Sequence, residues 1–552
     1  MRALRAGLFA FFVYEIVGLK GEAKLIRPPA IGTQTMVTSP HYLATMAGAR
    51  ILDQGGNAFD AAVAVSACLA VVYPHMTGIG GDAFWLMYTA HDGAVRAYNA
   101  SGRSGYRAEP GVYAGREDIP VRGPLSAITV PGMVDGWDAV LREYGKLTLK
   151  EVLEPAIQYA KEGFPCSRSQ HQFSSQFAPT LQAYPHTARI YLPGGRPPSF
   201  GEKFVQRELA DTLSLIAKEG RTAFYEGEIA ASITAELKQQ GGILTREDFA
   251  DHTENWVEPI STDYRGYTVY QMPPNSQGFA ALMALNILKN FDLQAAGHGT
   301  FAYYHLLIEA LKLSFVDRNR HLTDPDFYDV PLSQLLSAAY ANKLAQTIRM
   351  DRAQDILGTE MGSDTAYAAV VDEEGNAVSF IQSLYFEFGS AWTAGETGVL
   401  LQNRGSFFSL DPHHINRLEP RKRTFHTLMP ALAMLDDKPA ILYGTQGGEG
   451  QPQTQTAIIT RMIDFGMDPQ QAVSLPRWLW GRTWGEKVND ELKLEKSIGE
   501  SVGEQLAQVG HRVRMVEDHH RLMGHACAIR IDEYGYRQGG ADPRSDGLAI
   551  GW

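Results

Sequence analysis

The sequence predicts a mixed α+β fold, with helical layers packed on antiparallel sheets, and three observations carry that prediction. Residues from about Leu147 to Met350 follow mainly helical patterns. From Thr365 onward the pattern changes to short apolar or alternating runs separated by hairpin turns. The chain has 552 residues, more than one compact core usually uses, so length alone suggests two or three domains.

The helical elements come first. In Ala44–Tyr73, Gly55-Gly56-Asn57-Ala58 punctuates two helical patterns, and Asp60 is placed to cap the apolar helix Ala61–Val72. Thr77-Gly78-Ile79-Gly80-Gly81-Asp82 then signals tight turns before a strand over Ala83–Tyr88. Leu149–Glu162 and Tyr303–Asp317 have apolar residues at amphipathic helix spacing, and the loop Met272–Gly278 leads into a helix over Ala280–Leu288. Strands are expected over Thr365–Asp372 and Ala377–Leu384, joined by Glu373-Glu374-Gly375-Asn376. Further strands are expected over Ala431–Leu435 and Ala440–Tyr443, and strand-like runs follow at Arg512–Val516 and His525–Asp532.

Composition excludes several classes. Hydrophobic residues make up 44% and charged residues 20%, ordinary for a globular chain, and a formal net charge of -12 argues against a partner held by phosphate contacts. Cys68, Cys166 and Cys527 are far apart and form no CxxC pair, so neither a disulfide framework nor a cysteine zinc site is expected. Arg2 and Arg5 precede the apolar run Leu8–Tyr14, but Glu15 interrupts it and no clean small-x-small site follows. A leader or disordered N-terminus over 1–34 and a cytoplasmic enzyme are expected, with a secreted or periplasmic one as the alternative. The apolar run is too short to span a bilayer.

The chemistry centres on Ser363-Asp364-Thr365-Ala366-Tyr367-Ala368-Ala369-Val370-Val371-Asp372. A threonine with a free α-amine is a nucleophile and base in one residue, because that amine has a pKa near 8. An internal threonine has only an amide nitrogen, so this chemistry requires cleavage between Asp364 and Thr365. Taken alone, a threonine opening a strand is ordinary β-structure. The surrounding motifs change that balance. Thr365, Val370-Val371-Asp372, Gly375-Asn376, Phe388-Gly389, Ala394-Gly395-Glu396, Gly398–Leu401, Asn403, Arg423, Pro430 and Gly447-Gly448 stand in collinear order. Upstream lie Gly55–Ala62, Gly78-Ile79-Gly80-Gly81 and Val130-Pro131-Gly132. On these residues, over roughly 35 to 550, the chain resembles the γ-glutamyltranspeptidase family. The resemblance implies an Ntn-hydrolase αββα sandwich, with a precursor cut into a large subunit (35–364) and a small subunit (365–552) that form one intertwined unit. It also implies that Thr365 is nucleophile and base, that the Ser383 hydroxyl helps activate it, and that Gly447 and Gly448 present N–H groups to the oxyanion. A plain β-turn is the alternative for the glycines.

Departures from the family pattern fall where the substrate's charged groups would bind. Tyr385 replaces an asparagine, Arg404 a glutamine and Phe407 an acid that would contact an α-amine. His426-Thr427 replaces a serine pair. The family's carboxylate-binding arginine falls at Ser101, with Arg103 two residues further on. Loss of the acid removes a partner for an ammonium, whereas Arg404 adds a donor fork suited to a carboxylate. The expected substrate is an amide whose acyl part carries a carboxylate and no ammonium, with Arg404 as anchor and Arg103 as second choice. A structural ion pair is the alternative for Arg404, and core packing for the aromatics. The motifs look like the branch holding glutathione-hydrolase-like proteins, class IV cephalosporin (glutaryl) acylases and oxamate amidohydrolase, whose substrates differ widely.

Rival classes have weaker support. No Gly-x-Ser-x-Gly elbow and no HExxH is present, His413-His414 and His519-His520 lie in polar stretches, and no Lys-Ser or Lys-Thr follows Gly78–Gly81. Two readings remain as alternatives: a γ-glutamyltransferase or glutathione hydrolase, and a family-shaped scaffold that does not process. The expected partners are a small-molecule amide and the two subunits of one precursor, with no nucleic acid, membrane, metal or organic cofactor. A homo-oligomer stays open. Water is the expected acyl acceptor, with transfer to amines as the alternative.

Overall fold

The computed structural model describes residues 27–356, 365–481 and 490–552. The expected cleavage-site residue Asp364 lies outside the described residues. Two seven-stranded sheets form the centre, and every strand pairing within them is antiparallel. One sheet runs Leu548–Ile550, Met36–Ser39, Ala366–Val371, Ala377–Ser383, Asp82–Thr89, Ala94–Ala100, Trp256–Val257. The other runs Ala30–Gly32, Arg537–Ala541, Ala526–Ile531, Lys438–Thr445, Ala431–Leu435, Tyr267–Gln271, Ile260–Tyr264. Each sheet takes strands from both sides of residue 365, so a cut there leaves two interwoven pieces.

Strand alternation explains the layers. Tyr367, Ala369, Val371, Ile381, Phe84 and Leu86 pack against Leu432, Leu442, Cys527 and Ile529 in a core between the sheets. The sheets meet closely: a Cβ on Gly444 would lie 2.2 Å from the Tyr367 ring, so only glycine fits there. The alternate residues Ala366, Ala368, Val370 and Phe380 face outward into a core with helices Tyr42–Asp53, Ala58–Val72, Met133–Tyr144 and Leu149–Glu162. Helices Gly278–Leu288, Phe301–His321 and Gln451–Ile463 cover the outer face of the other sheet. The result is an αββα sandwich. No described helix is long and apolar enough to cross a membrane.

Several elements differ from the sequence reading. The helix expected at Ala61 starts at Ala58, because Asn57 is its cap and Asp60 completes a capping box. The region read as helical contains the hairpin Ile260–Gln271, whose turn residues Arg265 and Gly266 have φ of 54° and 87°. The helix expected to be amphipathic over Tyr303–Asp317 runs Phe301–His321, is buried on nearly all sides and carries Glu309, Lys312 and Arg318 into the interior. Arg512–Val516 belongs to a separate three-stranded sheet with Trp478–Trp480 and Glu491–Glu495. The leader expected over 1–34 overlaps ordered structure, since Ala30–Gly32 pairs with Arg537–Gly539. All three cysteines are free and buried.

Candidate active site

The candidate site lies where the two sheets meet at one end of the sandwich. Thr365 is fully buried and stands one residue ahead of the strand Ala366–Val371. Hairpin register pairs Ala366 with Gln382, and the next strand pairs Ser383 with Asp82. One further step in that register sets Thr365 opposite Ser383, giving the cross-strand row Thr365, Ser383, Asp82. Its parity matches Tyr367, Ile381 and Phe84, so the row faces the inside of the sandwich. At a strand spacing of about 4.8 Å, Asp82 lies roughly 10 Å from Thr365. The Ser383 hydroxyl accepts the Tyr385 N–H at 2.7 Å across a turn in which Tyr385 takes φ 86°.

The opposing sheet supplies a glycine turn. Strand Lys438–Thr445 ends in Gln446-Gly447-Gly448, which leads into helix Gln451–Ile463 with proline in its first turn. Gly447 and Gly448 have φ of 134° and 52°, backbone that favours glycine. The Gln451 carboxamide at the start of this helix donates to the Thr365 hydroxyl at 3.4 Å, linking the nucleophile position to the glycine turn. Gln451 Oε1 is buried and has no hydrogen-bond partner among the described residues. A helix N-terminus beside a glycine turn presents N–H groups and a positive dipole end, a setting that favours a developing oxyanion.

A second cluster surrounds Arg404. Its guanidinium is buried, lies 4.2 Å from the Tyr385 ring centre and 5.5 Å from that of Phe407, and donates to the Thr427 hydroxyl at 3.2 Å. Nε and Nη2 of Arg404 are buried and have no hydrogen-bond partner among the described residues. Burial lowers its pKa to about 10, which still leaves it charged at neutral pH. Tyr385 also packs on Phe407, and Phe407 on Phe425, so aromatic rings line this side of the guanidinium. His426 Nε2 lies 3.1 Å from Asp82 Oδ2, and its Nδ1 accepts the Leu428 N–H, which places the ring proton on Nε2. Burial pushes the Asp82 carboxyl up to about 7. The Arg404 charge and the donors on Oδ1, from Gln402 Nε2, Gly132 N–H and Gly102 N–H, favour the ionised form, with His426 Nε2 at Oδ2, and burial outweighs them in that net upward shift.

The sequence-predicted residues therefore fall into two groups and one outlier. Thr365, Ser383, Gly447 and Gly448 form one group, and Arg404, Tyr385, Phe407, His426 and Thr427 the other. Arg103 stands apart. It donates to Asp324 at 3.1 Å, to Asp326 at 2.5 Å and to the Arg421 carbonyl at 2.9 Å, so its guanidinium is already committed within the fold. As second choice for the anchor it is disfavoured for that reason. Sequence reasoning assigned no role to Asp82 or Gln451. The one available signal was Pro452, which marks a helix start and so places Gln451 at its N-terminus.

Among the described residues, the group close enough to hold a cation is His305, Glu309 and His511. Its protons are already assigned. His305 Nε2 faces the Arg349 carbonyl at 2.8 Å and must carry hydrogen, so Nδ1 accepts from His511 Nε2 at 2.9 Å. Lys312 lies 3.4 Å from the remaining His511 nitrogen and pairs with Glu309 at 2.9 Å. This is an ion-pair and histidine network with an ammonium inside it, which makes it a poor cation site.

Comparison with known proteins decides the family. The model of the γ-glutamyltranspeptidase family matches residues 44–552. The chain belongs to the γ-glutamyltranspeptidase family. It is 61% identical to the glutathione hydrolase-like YwrD proenzyme of Bacillus subtilis strain 168, with 94% of this chain and 99% of the relative covered. It is 40% identical to the oxamate amidohydrolase proenzyme of Klebsiella pneumoniae, with 95% and 99% covered. The crystal structure of a cephalosporin acylase from Bacillus halodurans superposes with a TM-score of 0.89 at 37% identity, covering 98% of this chain and 99% of that one. The αββα sandwich is thus the Ntn-hydrolase fold of γ-glutamyltranspeptidase family members, and the chain is an Ntn-type amidohydrolase.

Proposed function

We propose that this chain is the precursor of an N-terminal-threonine amidohydrolase, cut before Thr365 so that the second piece is 365–552, that hydrolyses amides of small acyl groups bearing a carboxylate. The freed Thr365 amine takes the proton of its own hydroxyl as the oxygen attacks the amide carbonyl. Gly447 and Gly448 N–H groups receive the negative oxygen. Collapse breaks the C–N bond, the amine leaves with the proton, and water then releases the acid from the threonine ester. The relatives bear the names amidohydrolase and glutathione hydrolase-like, both as proenzymes, which supports this reaction class.

The observation carrying the substrate reading is Arg404. A buried guanidinium with two nitrogens lacking acceptors among the described residues costs free energy unless a ligand completes it, and a carboxylate does so with two parallel bonds. Around it, Phe407 supplies no carboxylate for an ammonium, and the Asp82 carboxylate already faces donors from Gly102, Gly132, Gln402 and His426. A panel of glutaryl, oxamate and γ-glutamyl amides tests this on the processed protein. Fastest turnover of acyl groups that carry a carboxylate and no ammonium is expected, and fastest turnover of the γ-glutamyl amide overturns it. Arg404→Met is expected to process normally yet to lose roughly ten- to a hundredfold in kcat/KM on carboxylate-bearing amides, since a hydrogen bond to a charged group contributes roughly 1.5–3 kcal/mol. An uncharged acyl analogue should lose far less. Equal losses on both mark Arg404 as structural.

A further inference from the structure

Adjacent glycines at 447 and 448 create a problem that the rest of the fold has to solve. Without side chains this turn has wide backbone freedom, whereas oxyanion donors act only when held within roughly half an ångström of their target. Gln277 sits against it. This residue is fully buried, and its carboxamide donates to the Gly448 carbonyl at 3.0 Å and to the Thr427 carbonyl at 2.9 Å. Its Oε1 accepts from Arg318 Nη1 at 2.9 Å. An arginine can only donate and carbonyls can only accept, so the orientation of the amide is fixed without ambiguity. Arg318 is itself buried, packs 4.1 Å from the Phe315 ring centre and reaches Glu449, the next residue of the same turn, at 3.4 Å. The Gln277 backbone is fixed as well, since its N–H donates to the His426 carbonyl at 3.0 Å.

Two parts of the site are joined by this one side chain. Gly448 belongs to the glycine turn, and the Thr427 hydroxyl accepts from Arg404 at 3.2 Å. We propose that Gln277 is a positioning residue, held by Arg318, that clamps the glycine turn to the Thr427–Arg404 segment so that oxyanion donors and carboxylate anchor keep a fixed separation. This rests on the reading that Gly447 and Gly448 bind the oxyanion. Gln277 touches no reacting atom; it holds the Gly448 carbonyl, one peptide beyond the Gly448 N–H, and acts through that stretch of backbone. Losing the clamp lets the N–H groups wander while Arg404 still grips the substrate, so the loss appears in kcat and not in KM.

The test uses Gln277→Met, which keeps the bulk and removes both donors, and Gln277→Glu, which keeps the Arg318 contact and turns a donor into an acceptor facing two carbonyls. Rates are measured on purified protein with the amide that the wild type turns over fastest, per molecule of Thr365 titrated by acylation, with melting temperature as the fold control. Both variants are expected to lose roughly ten- to a hundredfold in kcat with KM within about threefold of the wild type. Gly448→Val, assayed in parallel, separates the two claims. Normal kcat in Gly448→Val removes the oxyanion reading and this proposal with it. A damaged Gly448→Val beside Gln277 variants with wild-type kcat, or with KM raised as much as kcat falls, overturns the clamp alone. Folded variants that no longer process overturn it too, by assigning Gln277 to maturation.

Discussion

Thr365→Ala is expected to remain one uncut chain of 60.8 kDa with amidase activity lowered by a factor on the order of 10⁴ or more. Alanine removes the hydroxyl that attacks the preceding carbonyl during maturation, so the amine that serves as base is never released. Both functions fail from one substitution. The fold should survive, because the site is a strand end packed mainly through its neighbours, so a normal melting temperature accompanies the loss. Thr365→Ser keeps a hydroxyl and is expected to cut and to turn over substrate, more slowly. Chain pattern on a denaturing gel and the rate of amide hydrolysis read both variants. An active, uncut Thr365→Ala protein removes the whole reaction scheme.

Gly448→Val is expected to lower kcat by a factor on the order of 10² or more with little change in KM. Gly448 takes φ 52°, and a β-branched side chain is a severe outlier there. The backbone must rotate to relieve it, which turns the 447–448 N–H groups away from the developing negative charge. Gly447 is constrained differently. A Cβ there would meet nothing nearer than the Gly524 Cα at 3.7 Å, so space is present, but φ 134° excludes L side chains on conformational grounds. Gly447→Ala therefore strains the turn without a steric clash and should also reduce kcat. Stopped assays at saturating substrate separate kcat from KM, and a well-folded Gly448→Val with normal kcat removes the glycines from the mechanism.

The hairpin around Thr365 was legible because alternation and turn chemistry are local: Ala366–Val371 and Ala377–Ser383 are two neighbouring strands joined at Gly375-Asn376. Long-range partners were not legible. Asp82 meets His426 across 344 positions and Gln277 meets Gly448 across 171, and no local pattern reports such contacts. Arg103 illustrates the same limit from the other side. Its position two residues from Ser101 suggests an anchor, whereas Asp324 and Asp326, more than 200 positions away, already satisfy it. Arg404 stands out in sequence for the loss of an acid nearby, but its two nitrogens without partners among the described residues emerge only once the side chains around it are placed. The hairpin Ile260–Gln271 was hidden inside a mainly helical stretch, although its Arg265-Gly266 turn and β-branched and aromatic residues such as Thr268, Val269 and Tyr270 were its signal.

One measurement tests the central claim most directly: N-terminal sequencing and intact mass of the purified wild-type chains. Two chains smaller than the 60.8 kDa precursor are predicted, one of them beginning Thr365-Ala366-Tyr367 and ending at Trp552. A single full-length chain that hydrolyses amides, or a small chain beginning at any other residue, contradicts the assignment of Thr365 as an N-terminal nucleophile.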